Sequence, residues 1–504
     1  MIRRALFSLL ATVAGLAVCS AEPLSKKTDI DFFRDVPSRN LKGLATRSDG
    51  RLVQGPTVAE LAGPAPADML WTLEPTRDPA RWLLGSGPDG RILEASVDVA
   101  QKTFTSREYA KLEDPQVFSV KSLPDGALLA GTSPRGALYL LRDGKPVSRV
   151  ALPVDSIFDI LLLPGGTHAL VATGNPGRIY KVDLAKFASV GLIADKIADA
   201  KILSDRGIEL FGEIRDRNAR RLAALPDGRI VAGSAPRGNI YAFPASGGAP
   251  VILQENRDAE VTDLFVQPGG DFYASIVFTS TSNESRITPS GSTPKPGEPP
   301  PPVTAERFSG RSVIVWFPVN GFPENIVSRS STALYRLARR GDVLLATGGE
   351  MGELVGYDLK ARLALTFAGS ISAQVNGIAA LPGSPDKYLL LRNNAPGLAI
   401  LDFAPDSTRE AETRRIDLAT PSQLGALRID RLRNLAPARI HAEVRMSNGS
   451  DEVEGWGPWT PLQLGEDLGW RPENLRGRYL KLRLRIADAP TGSSSSGDLE
   501  IDRA

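Results

Sequence analysis

A three-strand pattern recurs along most of the chain and constrains the fold more than any other feature. Each copy consists of an apolar strand, a turn of Pro and Gly, a second apolar strand, a loop that ends in Gly, and a third strand. The seven copies, of which the second, third and fourth are clearest, span residues 67–95, 117–142, 157–183, 219–244, 261–317, 333–358 and 375–402. Pro and Gly supply the backbone angles of tight turns, so each copy predicts an antiparallel meander. Repetition at this scale indicates an array of similar units.

The strands of this repeat are too apolar for either face to be exposed to solvent. Residues 160–163, for example, are apolar at every position, and such a strand must be buried on both sides. A fourth strand is predicted at 147–152, 250–254, 326–329 and 363–367. Four strands in about 40 to 45 residues is the period of a propeller blade. The sequence therefore predicts an all-β fold with a seven-bladed β-propeller of four-stranded antiparallel blades over residues 43–405, closed by residues 51–54.

Two long segments interrupt the predicted propeller. The first covers residues 193–216, and the second covers residues 279–309 and contains a Pro-rich stretch. Pro-rich sequence cannot pack a core, so this stretch is expected to be mobile. We place both segments at the end of the propeller where the innermost strands begin. Long loops on a rigid scaffold often carry function, so this end is the predicted binding face.

Polar and aromatic side chains stand near the start of the innermost strands when the repeats are aligned on their turns. The predicted binding residues at this channel mouth are Trp71, Asp159, Arg221, Asp263, Tyr335 and Asn376. A rim of this composition suits a small ligand or a glycan. The simpler interpretation is that Arg221 neutralises Asp159 and Asp263. A further alternative places calcium on Asp159, Asp263 and Asn376, because Ca²⁺ prefers oxygen ligands.

The repeat stops before residue 409, and residues 409–504 show a different pattern. Hydrophobic residues alternate with mostly charged ones at 438–446 and 478–486. This alternation predicts strands with one solvent-exposed face. This region is predicted to be a small antiparallel β-sandwich. Trp456 and Trp459 are its candidate glycan-binding residues, with edge packing as the alternative. Lys481, Arg483 and Arg485 are expected to form a solvated face.

Residues 1–21 have the features of a secretory signal, with Arg3 and Arg4 followed by an apolar stretch and small residues. We therefore expect a periplasmic or extracellular protein, preceded by a short lead-in at 22–42. Cys19 offers an alternative as the lipidated residue of an anchored lipoprotein. No later stretch is apolar enough to predict a membrane span. The formal net charge of +2 does not suggest a nucleic-acid partner.

The repeat, with L-P-D-G followed by A-G-[ST] and G-x-[IL]-Y, resembles WD40-like propeller proteins exported by environmental bacteria. The stretches at 445–462 and 477–486 look like a tail domain that is often joined to such propellers. The Trp-Asp blade ending of true WD40 repeats is missing. The resemblance implies this architecture and no particular activity.

Residues for most catalytic chemistry are scarce. The chain contains two histidines and one cysteine, and it has no nucleophile elbow, phosphate-binding loop or zinc-protease motif. The sequence therefore favours a non-catalytic binding or scaffold protein without a cofactor. Its partner would be a protein or a polysaccharide on the insertion-bearing face. The alternative is a calcium-dependent, lactonase-like hydrolase or lyase at the channel mouth.

Overall fold

The structure is a computed structural model that describes residues 25–279, 308–350, 352–367, 373–403, 409–451, 453–487 and 498–504. The predicted signal segment at 1–21 and the Pro-rich stretch lie outside the described residues. Strands dominate the described part, with three short helices at Phe32–Asp35, Leu184–Ala188 and Ala200–Asp205 and two 3₁₀ turns at Ser38–Asn40 and Pro437–Arg439. None of the described helices has the length and apolar character that a membrane crossing requires.

The repeats form consecutive four-stranded antiparallel units, which we call sheets and number in chain order. A single pairing of Gly174 with Asn218 joins the third and fourth units. Sheet 1 consists of Met69–Pro75, Arg81–Gly87, Arg91–Asp98 and Thr103–Lys111. Sheet 2 consists of Gln116–Ser122, Leu128–Ser133, Ala137–Arg142 and Lys145–Ala151. Sheet 3 consists of Ser156–Leu162, His168–Gly174, Arg178–Asp183 and Ile208–Glu213. Sheet 4 consists of Asn218–Ala224, Ile230–Ala235, Ile240–Phe243 and Val251–Gln254.

The remaining sheets continue the series. Sheet 5 consists of Ala259–Val266, Phe272–Phe278, Arg311–Phe317 and Glu324–Ser330. Sheet 6 consists of Leu334–Arg340, Val343–Gly348, Glu353–Asp358 and Leu363–Phe367. Sheet 7 combines Gln374–Leu381, Ser384–Asn393 and Gly397–Asp402 with Thr57–Glu60 from the other end of the repeat region. In sheets 1 to 6 we call the strand that comes first in the chain the inner strand. In sheet 7 the inner strand is Gln374–Leu381.

The sheets are arranged in a closed ring. Each neighbouring pair shares an apolar core, and sheet 7 shares one with sheet 1, where Leu389 and Leu391 pack with Leu70 and Trp82. The inner strands contact one another around the ring, including Gln374–Leu381 against Met69–Pro75. A sheet that is apolar on both faces is thereby covered on both faces. The prediction of an all-β chain containing a β-propeller is confirmed.

The predicted closing strand is wrong, because the strand that closes the ring is the next one along the chain. Residues 51–54 were expected to complete the last sheet, but Thr57–Glu60 pairs with Gly397–Asp402 instead. Leu52–Gln54 pairs with Leu44–Arg47, and Leu44–Arg47 pairs in turn with the outer strand of sheet 6, Leu363–Phe367. The physical reason is that Leu52 is required in a different core, where it is fully buried beside the C-terminal region.

The two insertions leave the ring at opposite ends, after Asp183 and after Phe278, contrary to the prediction. Ile208–Glu213 is the outer strand of sheet 3, so the first insertion joins the third and fourth strands of that sheet instead of following the fourth. Leu192–Lys196 within it runs parallel to Lys145–Ala151 and adds a fifth strand to sheet 2. The buried Arg149 holds this strand by donating to the carbonyl oxygens of Ile193 and Ala194 at 2.5 and 2.9 Å. This insertion covers a sheet edge, which would otherwise expose unpaired backbone groups.

The C-terminal region contains the predicted alternating strands. Ile440–Ser447 and Arg476–Ile486 are antiparallel neighbours, with the alternate residues from Ile440 to Met446 buried. Arg409–Glu412 and Ile416–Gln423 also pair with Arg476–Ile486. Short strands complete the region at Thr460–Pro461, Gln463–Leu464 and Trp470–Arg471. These strands cover one side of an apolar core.

The N-terminal lead-in belongs to this C-terminal region and is not a separate linker. Leu41–Lys42 pairs with Arg409–Glu412, and Phe32 is buried in the same core. The other side of that core is the extension of sheet 6. There Glu500–Ile501 pairs with both Leu52–Gln54 and Leu432–Arg433. A continuous run of backbone pairing therefore connects the propeller to the C-terminal region.

We predict that Ile501→Ala destabilises both regions together. Ile501 is fully buried, and truncation of such a side chain costs about 2–5 kcal/mol in the free energy of unfolding. Urea denaturation should show this loss, and hydrogen exchange should quicken at the amides of Leu52 and Val53 as well as in Arg476–Ile486. Val453→Ala is the control, because Val453 is 85% exposed in the same region. Unchanged exchange at Leu52 and Val53 would contradict the coupling.

Candidate functional site

Every inner strand carries one extra residue near its beginning. The pairing register with the second strand shifts at the same place in each sheet. The extra residues, which we call the mouth tier, are Trp71, Phe118, Phe158, Arg220, Thr262, Tyr335 and Asn376. A β-bulge turns a side chain away from the direction that strict alternation would give it. The mouth tier is therefore produced by the backbone and repeats around the ring.

The mouth tier has an aromatic side. The Trp71 and Phe118 rings meet edge to face at 5.1 Å, and Phe118 stacks on Phe158 at 5.5 Å. The Arg220 guanidinium lies 4.2 Å from the centre of the Phe158 ring. These four half-buried side chains, which we call the aromatic arc, span sheets 1 to 4. On sheets 5 to 7 the mouth tier is polar, with Thr262, Tyr335 and Asn376, so the mouth is amphipathic.

A cavity of about 250 Å³ lies within the ring next to the aromatic arc. Phe118 and Phe158 contribute to its wall, and the rest is largely charged. The charged side chains that line it are Glu74, Lys121, Asp159, Arg221, Asp263 and Arg336. Three acids and three bases give the lining no formal net charge.

The three acids bind backbone amides of the next sheet. Asp159 Oδ2 accepts a hydrogen bond from the Leu222 amide at 2.9 Å. Asp263 Oδ2 accepts one from the Leu337 amide at 2.7 Å. Glu74 Oε1 accepts one from the Ser122 amide at 3.0 Å. Each carboxylate thus links an odd-numbered sheet to the even-numbered sheet that follows it.

Arg221 and Arg336 converge on a single carbonyl oxygen. The Thr262 carbonyl accepts from Arg221 Nε at 2.7 Å and from Arg336 Nη1 at 3.0 Å. The expectation that Arg221 neutralises both aspartates is incomplete. Burial raises the pKa of Asp263, and the charges of Arg336 and Arg221 both oppose that rise. Within the described residues the ion-pair partner of Asp263 is Arg336, at 3.7 Å. Aligning the repeats on their turns placed Tyr335 where Arg336 belongs. The turn after Arg340 is tighter than in the other repeats, so the alignment of this inner strand is shifted by one residue. The bulge position would have corrected that register.

The other predicted residues also form bonds between sheets. Trp71 Nε1 donates to Gln116 Oε1 at 2.7 Å, Gln374 Nε2 donates to the Tyr335 hydroxyl at 2.6 Å, and Asn376 Nδ2 donates to the Leu70 carbonyl at 2.8 Å. The six predicted residues therefore share a ring, but Asn376 does not line the cavity with Asp159 and Asp263.

The calcium alternative finds little support in this geometry. Both oxygens of Asp159 accept backbone amides, from Ile160 and Leu222. Within the described ranges, no three His, Cys, Asp or Glu side chains are grouped so that they could hold a metal ion.

Burial shifts the pKa values of several of these groups. Burial raises the pKa of Glu74 and of Asp263 above their ordinary values, against the opposing influence of Lys121 and Arg336. Burial and the neighbouring Arg221 lower the pKa of Arg336 to about 10. These shifts are those of charges held in a poorly solvated space.

The second predicted site, on the C-terminal strands, is occupied by the protein's own cations. The Arg445 guanidinium lies 4.6 Å from the Trp459 ring centre and 5.4 Å from that of Trp456. Lys481 and Arg483 approach the same two rings, at 5.0 and 3.9 Å respectively. Trp470, the third tryptophan, is buried in the core.

The basic stripe is correspondingly not a solvated face. Lys481 is buried, and Arg483 pairs with Glu412 at 2.8 Å and with Glu443 at 3.6 Å. Arg485 also pairs with Glu443, at 3.1 Å. Cross-strand charge pairs and cation–π contacts together stabilise this outer surface.

No protein-family model and no curated protein matches this chain. Among solved structures, YCF48 bound to D1 peptide is similar at 17% identity, with 69% of this chain and 97% of that chain covered and a TM-score of 0.45. Kuenenia stuttgartiensis hydrazine synthase has 12% identity, coverage of 67% and 96%, and a TM-score of 0.48. The Myceliophteria thermophila Cps50 (Swd1) β-propeller domain has 10% identity, coverage of 69% and 99%, and a TM-score of 0.44. At these identities the likeness concerns the fold.

We predict opposite pH dependences for Asp263→Asn and Asp125→Asn. The raised pKa of Asp263 means that the folded protein holds this proton more tightly than the unfolded chain does. The contribution of Asp263 to stability is full below its ordinary pKa of 3.8 and is lost as the pH rises through its folded pKa. The wild type should therefore lose stability relative to Asp263→Asn over that interval.

Asp125 is the control with the reverse sign. The Ala127 amide and then Arg142 lower the pKa of this exposed carboxyl, so its contribution is present above pH 3.8 and is lost as the pH falls through its folded pKa. Urea denaturation at a series of pH values measures both differences. Shifts of the same sign for the two variants would contradict the assignment.

Proposed function

We propose that this chain is an exported, non-catalytic binding protein whose protein partner engages the aromatic side of the propeller mouth. The observation that carries the proposal is the half-buried aromatic arc at the edge of a polar cavity. Small-ligand and peptide sites commonly combine apolar walls with a few directed polar groups. The sequence-based expectation of a binding face is retained, but it rests on the mouth residues and not on paired insertions.

The proposed architecture is a seven-bladed propeller followed by a β-sandwich. Sheets 1 to 7, as far as the described residues go, are the proposed blades, and the shared core between sheets 7 and 1 supports a complete ring. The proposed sandwich has the C-terminal strands as one layer and the extension of sheet 6 as the other. This sharing of strands supports a rigid scaffold whose mouth keeps its shape.

Only one insertion is available to the proposed binding end. The segment that follows Phe278 leaves the second strand of sheet 5 at the mouth end, because antiparallel strands place that connection beside the start of the inner strand. The insertion after Asp183 begins at the opposite end and holds the edge of sheet 2. We therefore assign it a structural role.

A protein partner is favoured over a polysaccharide. Sugar-binding platforms present an open aromatic face, whereas cationic groups lie over the Trp456 and Trp459 rings. At the mouth, Trp71 and Phe118 are nearly perpendicular, at 82°. An uneven aromatic surface beside hydrogen-bond donors suits amino-acid side chains, and Trp and Arg are frequent at the centres of protein interfaces. The proposed place of action is the periplasm or the exterior.

Site-specific photocrosslinking tests this function. Phe158→p-benzoylphenylalanine places a crosslinker in the aromatic arc, and Phe322→p-benzoylphenylalanine places one at the opposite end, where Phe322 is 88% exposed. In cells of the source organism, we expect a discrete protein adduct at position 158 and none at 322. Adding Trp71→Ala to the first variant should reduce that adduct about tenfold, as loss of an aromatic anchor does.

Two results would overturn the proposal. Equal adducts at positions 158 and 322 would mean that the mouth is not the binding face. If no protein adduct forms and the protein instead binds a polysaccharide in a manner abolished by Trp71→Ala, the partner class would be wrong.

A further inference from the structure

The guanidinium groups of Arg221 and Arg336 have more donors than the protein uses. Each guanidinium has five N–H groups. Within the described residues, Arg221 uses only Nε for a hydrogen bond, and Arg336 uses only Nη1. Their remaining donors belong to side chains that line the 250 Å³ cavity. The two groups lie close enough for Arg221 to lower the pKa of Arg336.

The acids of the cavity do not saturate these donors. Asp159 directs both oxygens to backbone amides, and Asp263 Oδ2 does the same. Asp263 Oδ1 remains 3.7 Å from Arg336, beyond good hydrogen-bond length. Glu74 is engaged with Ser122 and Lys121. Two converging cations in the cavity thus keep donors that the described protein groups do not use.

A second polar group in the wall also lacks a partner. Ser119 lines the cavity and is only 5% exposed, yet its Oγ has no hydrogen-bond partner among the described residues. Buried hydroxyl groups are normally paired with protein, water or ligand. The apolar part of the same wall comes from Phe118 and Phe158. Arginine donors and aromatic rings therefore surround one space, and the Ser119 hydroxyl is buried in its wall.

We infer that this cavity binds a carboxylate that is attached beside an apolar side chain, as at the C-terminus of a peptide. A carboxylate matches the planar donor fork of arginine, and such charge-assisted bonds are among the strongest in proteins. The apolar side chain would contact Phe118 and Phe158. This inference rests on the proposed function and adds the chemical group by which the protein partner is recognised. An internal Asp or Glu next to an apolar residue offers the same chemistry.

Titration calorimetry with short peptides tests the inference on the full chain. The probes are an N-acetylated tripeptide that ends in leucine with a free carboxylate, the same peptide as its C-terminal amide, and an amidated peptide with an internal Glu before leucine. We expect the free acid to bind with a Kd about tenfold or more below that of the amide, since a hydrogen bond to a charged group is worth about that factor. Comparable binding of the internal-Glu peptide would assign the source to a side chain instead of a chain end.

Variants locate the site within the protein. Arg221→Gln and Arg336→Gln should each raise the Kd of the free acid about tenfold or more, and Phe118→Leu should weaken binding less. Arg229→Gln is the matched control, because Arg229 belongs to the hairpin of the same sheet and pairs with Asp227 outside the cavity. If Arg221→Gln does not fold, Arg221→Lys replaces it, keeping the charge while removing the planar fork.

The outcomes separate this inference from the proposed function. Equal binding of acid and amide, or unchanged binding in both arginine variants, would overturn the carboxylate while crosslinking at position 158 still supported a protein partner. Equal binding of acetate and the leucine peptide would overturn the apolar requirement. A tighter affinity for a uronic-acid oligosaccharide than for any peptide would overturn both.

Discussion

The fold depends on the pairing of Thr57–Glu60 with Gly397–Asp402. Each sheet of the ring is apolar on both faces, so an open ring would leave two such faces in water. Burial of apolar surface contributes about 25 cal/mol per Å², and the core between sheets 7 and 1, with Trp82 fully buried, is available only when the chain ends meet. Without this strand, sheet 7 would also have an unpaired edge at Gly397–Asp402. Closure therefore covers both the last face and the last edge.

Closure also determines the composition of the channel. Inner strands that lie side by side around an axis bring charged side chains into a narrow, poorly solvated space, where an unpaired charge is costly. The chain meets this constraint by directing Asp159 and Asp263 to backbone amides of the neighbouring sheets. These bonds join the sheets and hold the carboxylates in place at the same time. The arginines are left with donors that the protein does not use, so the features that bind the ring together also provide its capacity to bind a ligand.

Much of the fold could be predicted because it follows from local patterns. Turns of Pro and Gly, apolar strands and the alternation at 438–446 all reflect backbone preferences within a few residues. Closure by Thr57–Glu60 could not be predicted locally, since Leu52–Gln54 is an equally good strand. Its pairing with Leu44–Arg47 on one side and with the distant Glu500–Ile501 on the other places it in another sheet. The first insertion was misplaced for a related reason. The strand Ile208–Glu213 follows a break that contains two short helices, so spacing alone suggested that sheet 3 had already ended.

The candidate site was predictable as a region but not in its contacts. Side-chain alternation assumes a regular strand, and the bulge in every inner strand changes which residue reaches the mouth. In sheet 6 the tighter turn after Arg340 also shifted the alignment by one residue, so Tyr335 was predicted in the place of Arg336 and the second arginine of the cavity was missed. The tryptophans of the C-terminal region illustrate the same limit. Trp456 and Trp459 have the composition of a sugar platform, but their rings are stacked with Arg445, Lys481 and Arg483 on strands that only the folded sheet brings together. Arg221 and Arg336, by contrast, keep guanidinium donors that no described protein group uses.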